Sequence, residues 1–159
     1  MTSKAKPDDP VIAVLADVLT AELTAINQYF VHGEMCENWG YTRLHEIIRG
    51  HSIDEMRHAE SLIERILYLE GVPNVQRVGG IRIGETVAEM MKVDMALERT
   101  AVERLNKGIE VCRAQGDNGS RLLLEQTLAS EEEHIDWLDA QLALIAQVGE
   151  KNYMAQQIR

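Results

Sequence analysis

Cysteine, proline and phenylalanine are scarce in this chain, and each scarcity removes a class of fold or chemistry. The only cysteines are Cys36 and Cys112, and no Cys-x-x-Cys pair occurs. That excludes a disulfide framework and a sulfur-ligated zinc or iron site, and two buried or free thiols fit a reducing cytosol. Three prolines and a single phenylalanine argue against a β-sandwich. Basic residues are outnumbered 16 to 26, for a net charge of −10. Nucleic acid is therefore a poor partner, while the acidity reads either as affinity for metal cations or as a solvated surface that keeps the chain in solution. No run of about 18 apolar residues stands out, so no membrane span is expected. Residues 1–10 are polar, with no apolar stretch after a basic cluster, so no signal peptide is expected. The chain reads as soluble and cytoplasmic.

What is present favours helix. Ala, Leu, Glu, Ile, Gln and Arg dominate a sequence of 159 residues that is 45% hydrophobic, enough for one domain, 1–159, with a sizeable core. Asp8-Asp9-Pro10 reads as a helix start, with acids near the positive end of the dipole and proline in the first turn. Apolar residues then recur with a 3.6-residue period through Val11, Leu15, Val18, Leu19, Leu23, Ile26, Tyr29 and Phe30, as far as Asn38-Trp39-Gly40. A second stripe runs from Leu44 to Leu69 and stops at Gly71 and Pro73. Residues 71–86 hold four glycines and little helix potential. The pattern predicts helices over about 9–38, 41–70, 85–115 and 120–149, with a short fifth over 152–158: an all-α four-helix bundle with one long crossover.

Two Glu-x-x-His motifs sit on this scaffold, Glu55 with His58 and Glu131 with His134. A lone glutamate lies 33 residues before each, Glu22 and Glu98, and the whole set recurs at an offset of 76. One such pair is a common accident of surface helices, and Glu131-Glu132-Glu133 alone looks like an exposed acidic run. Six ligand-type residues duplicated at one offset are not accidental. One Glu from each of two helices with Glu-x-x-His from each of the other two is the donor set of a dinuclear carboxylate site inside a helical bundle. The midpoint of Glu22 and Glu55 falls in Asn38-Trp39-Gly40, and that of Glu98 and Glu131 beside Gly116. Each donor is thus about 25 Å from its turn at 1.5 Å per residue, and all six meet at one height. Four carboxylates in an apolar interior require compensating cations. The expected arrangement puts Glu22 and His58 on one metal and Glu98 and His134 on the other, with Glu55 and Glu131 bridging. Such ligation suits iron or manganese. Asp94, Tyr29, Asp54 and Trp137 share these stripes and are either orienting neighbours or satisfied core residues.

The residues also carry a family resemblance. Segments 21–30 (AELTAINQYF), 51–59 (HSIDEMRHA), 63–67 (IERIL) with 71–74 (GVPN), and 131–138 (EEEHIDWL) closely resemble the bacterioferritins, over nearly the whole chain. The resemblance implies a ferritin-like bundle that oxidises Fe(II) with O2 or peroxide at a ferroxidase centre of two iron ions per subunit. Its ligands would be Glu22, Glu55, His58, Glu98, Glu131 and His134. It implies a homo-oligomeric shell of twenty-four subunits built from dimers, storing ferric mineral, with a ferredoxin-type protein as a possible electron donor. Met56 follows Glu55 by one helical step of about 100° and so points off the inner site onto the bundle's flank. By resemblance, Met56 from two subunits ligates one b-type haem across a two-fold axis, with Leu23, Ile26 and Phe30 as candidate lining. By residue type alone a flank methionine is interface packing. Gly50 departs from the family, which often has a histidine there for an iron site on the inner surface. His51, one position later, is either structural or a partial substitute. Competing readings are a manganese catalase or peroxide reductase on the same bundle, and a dimeric haem-binding electron carrier whose metal site is structural.

Overall fold

Residues 8–159 are described by a computed structural model; residues 1–7, part of the segment read above as carrying no signal peptide, lie outside the described residues. Four long helices follow: α1 (Pro10–Asn38), α2 (Thr42–Tyr68), α3 (Val87–Ala114) and α4 (Asn118–Val148), then a short α5 (Glu150–Ala155). No strand occurs among the described residues. Helices α1 and α2 form one antiparallel hairpin and α3 and α4 the other. The long segment between α2 and α3 returns along the bundle, so α2 and α3 run parallel.

Local chemistry sets each boundary. The Asp9 carboxylate accepts from the backbone N–H of Val11 at 2.8 Å and Ile12 at 3.3 Å, with Pro10 at the first helical position. Thr86 caps α3 through the N–H of Glu89, and Asp117 caps α4 through that of Ser120. These caps explain two departures from expectation: α3 begins after its cap at Val87 rather than near 85, and α4 begins at Asn118 rather than 120. The short fifth helix also starts earlier than expected, directly after Gly149 at φ 83°. Both hairpins turn in the same way. Tyr41 N–H donates to the Cys36 carbonyl and Gly40 N–H to that of Glu37, while Asp117 donates to Cys112 and Gly116 to Arg113, with both glycines at positive φ. This is the paired-hydrogen-bond helix ending that a left-handed residue permits. Helix α2 ends by the same pattern, Gly71 to Ile66 and Glu70 to Leu67, but its left-handed position is filled by Glu70 at φ 62°.

The core is in two parts. One, toward the α1–α2 turn, gathers Tyr29, Cys36, Leu44, Ile48, Met90, Met91, Met95 and Leu138; the other, toward the opposite end, gathers Leu15, Leu19, Leu62, Ile66, Leu105 and Leu124. A fully buried Leu or Ile contributes about 1.5–3 kcal/mol, so these clusters hold the helices while the level between them is polar. Helix α1 was expected to be too short in apolar residues to span a membrane. Its best stretch has a mean hydropathy of 1.5 and passes that test by length and composition. Its apolar side is nonetheless the one packed in both clusters, and the buried Glu22 interrupts it.

A row of polar residues on α1 straps the crossover down. Thr24, Gln28 and His32, one turn apart each, accept from the backbone N–H of Gly79 at 2.7 Å, Arg82 at 3.1 Å and Gly84 at 3.0 Å. Behind them Asp94 of α3 accepts from Gln28 Nε2 at 2.8 Å and lies 3.0 Å from His32 Nδ1. Gly84 permits the approach, because a Cβ there would lie 2.3 Å from Met90 N. Asp94, weighed above as a neighbour of the metal donors, is thus part of the strap.

Two opposite exchanges are expected to stabilise the bundle in thermal or chemical unfolding. Gly50 lies inside α2, and a Cβ there would meet nothing within 4 Å among the described residues; Gly50→Ala should gain about 1 kcal/mol. Glu70→Gly relieves a left-handed side chain and should gain about 1 kcal/mol.

Candidate metal centre

The polar level between the two cores consists of the duplicated donors. Glu22, Glu55, Glu98, Glu131 and His134 are buried, and the His58 side chain is 14% exposed. Each comes from a different height in sequence but the same height in space, because both hairpins turn at equal distances from their donors. His58 Nδ1 lies 2.9 Å from Glu55 Oε2, 3.2 Å from Glu131 Oε1 and 3.5 Å from Glu22 Oε2. His134 Nδ1 lies 3.0 Å from Glu55 Oε1, 3.3 Å from Glu98 Oε1 and 3.5 Å from Glu131 Oε2. The donors fall into two groups, Glu22-Glu55-His58-Glu131 and Glu55-Glu98-Glu131-His134, within each of which the donor atoms lie inside 4.8 Å of one another. Glu55 and Glu131 belong to both. Each hairpin supplies three donors to its own group and lends one to the other.

The donor chemistry fits two divalent ions. Glu55 Oε1 and Glu131 Oε2 are buried and make no well-aligned hydrogen bond among the described residues, with only the single His134 Nδ1 across from them at 3.0 and 3.5 Å, a costly condition that an ion would remove. His134 Nε2 lies 3.2 Å from Asp54 Oδ2, which fixes that ring's tautomer and leaves Nδ1 toward the carboxylates. On this side the centre also has an aromatic wall. Tyr29 donates its hydroxyl to Glu98. The His51 ring lies tilted against that of His134, centroids 4.3 Å apart, and meets Trp137 edge to face at 5.0 Å. Asp54 and Tyr29 therefore touch the donors directly, whereas Trp137 packs on His51. His51 itself is buried, its Nδ1 unpartnered among the described residues, and burial with the adjacent His134 lowers it to about 4, so it is a neutral ring. Met56, one step from the wholly buried Glu55, is 45% exposed on the bundle's flank, and Phe30 is 50% exposed; Leu23 and Ile26 are partly buried against the second core.

Without metal the centre holds protons in its place. Burial and then the neighbouring Glu55 raise Glu22 well above its usual range. Burial and the hydrogen bond with Glu131 push Glu98 up to about 8. Burial opposes charge on His58, but hydrogen bonds to Glu131, Glu22 and Glu55 overcome it and raise the imidazole to about 12; His134 is raised in the same way. Glu55 is pulled by burial one way and by hydrogen bonds from Glu22, His134 and His58 the other, ending near 2. The Glu22–Glu55 pair thus shares one proton, the expected result for two like charges in contact.

A cavity of about 500 Å³ between α1 and α3, beneath the crossover, reaches this level, with Glu22, Glu98 and Glu131 among its lining and Arg77, Arg82 and Arg104 around it. The arginines were not singled out in the sequence, since nothing in their spacing ties residues on a loop to one on α3.

Ions entering this centre would have to displace these protons, so uptake would be pH-dependent. Zn(II) added to the metal-free protein should release protons in a pH-stat, and its calorimetric affinity should rise at least about tenfold from pH 6 to pH 8. Glu98 and His58 have folded values raised above their unfolded ones, so the folded state binds the excess protons over roughly pH 4.5–8 and 6.5–12 respectively. Their stabilisation is complete below those windows and fades as pH rises through them. The metal-free protein should accordingly melt lower at pH 8 than at pH 6 in a calorimetric scan.

Comparison with known proteins agrees with the fold. The family model for the ferritin-like domain matches residues 12–148. The chain is 52% identical over 149 residues to a bacterioferritin of Mycobacterium leprae and 50% identical over 149 residues to bacterioferritin BfrA of Mycobacterium tuberculosis, each match covering 94% of both chains. It is 49% identical to a bacterioferritin of Streptomyces coelicolor, over 93% of this chain and 89% of that one. With half its residues identical to theirs over nearly its full length, the chain belongs to the bacterioferritins, within the ferritin-like family.

Proposed function

We propose that this protein stores and detoxifies iron, taking Fe(II) as the substrate of a ferroxidase centre formed by Glu22, Glu55, His58, Glu98, Glu131 and His134. The observation that carries this reading is the pair of overlapping donor groups that share Glu55 and Glu131. Two ions held by shared carboxylates lie close enough to give up one electron each to a single oxidant, O2 or peroxide. With peroxide, two Fe(II) supply two electrons, two protons are taken up, and two waters form. Protons held near Glu22 and Glu98 in the metal-free centre must leave as Fe(II) enters, so loading and proton exit are one event. The cavity between α1 and α3 supplies a way in for small species. In this reading one domain, 1–159, repeats twenty-four times as a cytoplasmic shell built of dimers, which holds the ferric mineral.

Met56 offers an exposed thioether on the flank, as a haem iron shared by two subunits requires. The haem, when bound, would pass electrons from a ferredoxin-type donor toward the mineral. The exposed Phe30 beside the partly buried Leu23 and Ile26 gives apolar surface on α1 for such a ring.

Two substitutions separate these roles. Glu131→Ala removes a donor common to both ions, and stopped-flow oxidation of Fe(II) should slow by at least about 100-fold, since even groups that only orient metal ligands cost about 10–100-fold, while the Soret absorbance remains. An unchanged oxidation rate would sink the ferroxidase assignment. Met56→Leu should abolish the Soret band and leave the oxidation rate intact; haem retained at wild-type content would end the haem assignment.

A further inference from the structure

Apart from the central donors, one other group among the described residues has the chemistry of a metal ligand set. It sits at the tip of the first hairpin. Glu34 and Glu37 lie in the last turns of α1 and His45 in the first turn of α2, and their donor atoms lie within 4.8 Å of one another. Glu34 is three turns past Glu22, about 18 Å along α1 at 1.5 Å per residue, so the group stands clear of the ferroxidase level.

The histidine is what distinguishes it from a patch of surface acids. His45 Nδ1 lies 2.9 Å from the backbone carbonyl of Gly33. A carbonyl only accepts, so Nδ1 carries the proton and the neutral ring presents its lone pair at Nε2. That is the orientation in which a backbone carbonyl prepares an imidazole for a metal. Nε2 faces Glu37 Oε2 at 3.7 Å, too long for a hydrogen bond. Two donors each about 2.0–2.2 Å from one ion are about 3–4 Å apart, so the spacing suits a shared ion. The ring is held in place, with its side chain 14% exposed, while Glu37 is 56% exposed. No Lys or Arg forms an ion pair with Glu34 or Glu37 among the described residues, and the His45 ring is the one basic group within 4 Å of the Glu37 carboxylate there.

We infer that Glu34, Glu37 and His45 form a separate divalent-cation site, in which one imidazole nitrogen and two carboxylates take a borderline first-row ion and water completes the coordination. Zn(II) binds it more tightly than Fe(II), following the general order of affinities for such donors. Because the ligands come from both sides of the α1–α2 turn, the ion also ties the end of one helix to the start of the next.

The test uses Zn(II) alone on the assembled, metal-stripped protein. Calorimetry and elemental analysis should count three ions per chain in the wild type and two in His45→Gln, with the lost ion being the weaker class. Crystals soaked in Zn(II) should show an anomalous peak bounded by Glu34, Glu37 and His45. The double variant Glu34→Gln with Glu37→Gln keeps the Gly33 bond of His45 and should weaken the same class at least tenfold, with Fe(II) oxidation unchanged. Two ions per chain in the wild type overturn the inference, as do three ions retained in both variants or a peak that appears only at soaking concentrations. Loss of the two tight ions with the third retained would instead count against the ferroxidase centre.

Discussion

Four glutamates buried at one height in an apolar bundle are the constraint around which the rest of this molecule is arranged. Carboxylates so placed repel one another and lose their hydration, and no amount of packing at that level repays it. The chain answers with charge: two imidazoles, each facing three of the glutamates, and displaceable protons where the proposed ions would sit. Stability is moved elsewhere, into an apolar cluster on either side of the polar level. The division of the core is thus a consequence of the centre. A continuous core would leave no room for the four carboxylates.

Rigidity has to come from the ends and from the crossover, since the middle is electrostatically costly. Both hairpins close with the same pair of backbone hydrogen bonds. The second is tied back to the first by Arg65, which donates to Ser120 Oγ at 2.9 Å and to Asp117 Oδ1 at 2.7 Å and stacks over Tyr68. Gly119 makes that possible, since a Cβ there would fall 2.6 Å from the guanidinium. The strap of Thr24, Gln28 and His32 binds the crossover to the very helix that carries Glu22, so the cavity above the centre has a fixed roof.

Much of this was legible in the sequence because the centre is a repeat, and repeats show in offsets. The six donors, their common height and the turns at Gly40 and Gly116 follow from counting. The strap did not, because Thr24, Gln28 and His32 form a polar row at helical spacing, which in sequence looks like a solvent face. Only tertiary placement of backbone donors from Gly79, Arg82 and Gly84 turns it inward. Spacing left Asp94 open for the same reason, as a neighbour of the centre or a satisfied buried residue, and its partners on α1 make it the second. The hydropathy of α1 was under-read because its polar residues are the few that matter to the site. Glu70 gave no sign of a left-handed backbone, a conformation for which glycine is the usual marker.

The repeat is faithful in the donors and unfaithful around them. Tyr29 holds Glu98, but the residue 76 positions on, Leu105, offers Glu22 no hydroxyl; Asp54 holds His134, and its counterpart Ser130 has no carboxylate to offer His58. His51 and Trp137 crowd the same side, where their counterparts are Thr127 and Ser61. Two ions with matching ligands would therefore occupy unlike neighbourhoods, one braced by hydrogen bonds and rings, the other left looser. Such a pair would have a polarity: exchange of ions would favour the looser partner while the braced one kept its place, and a symmetrical set of ligands would gain a preferred order of filling and emptying.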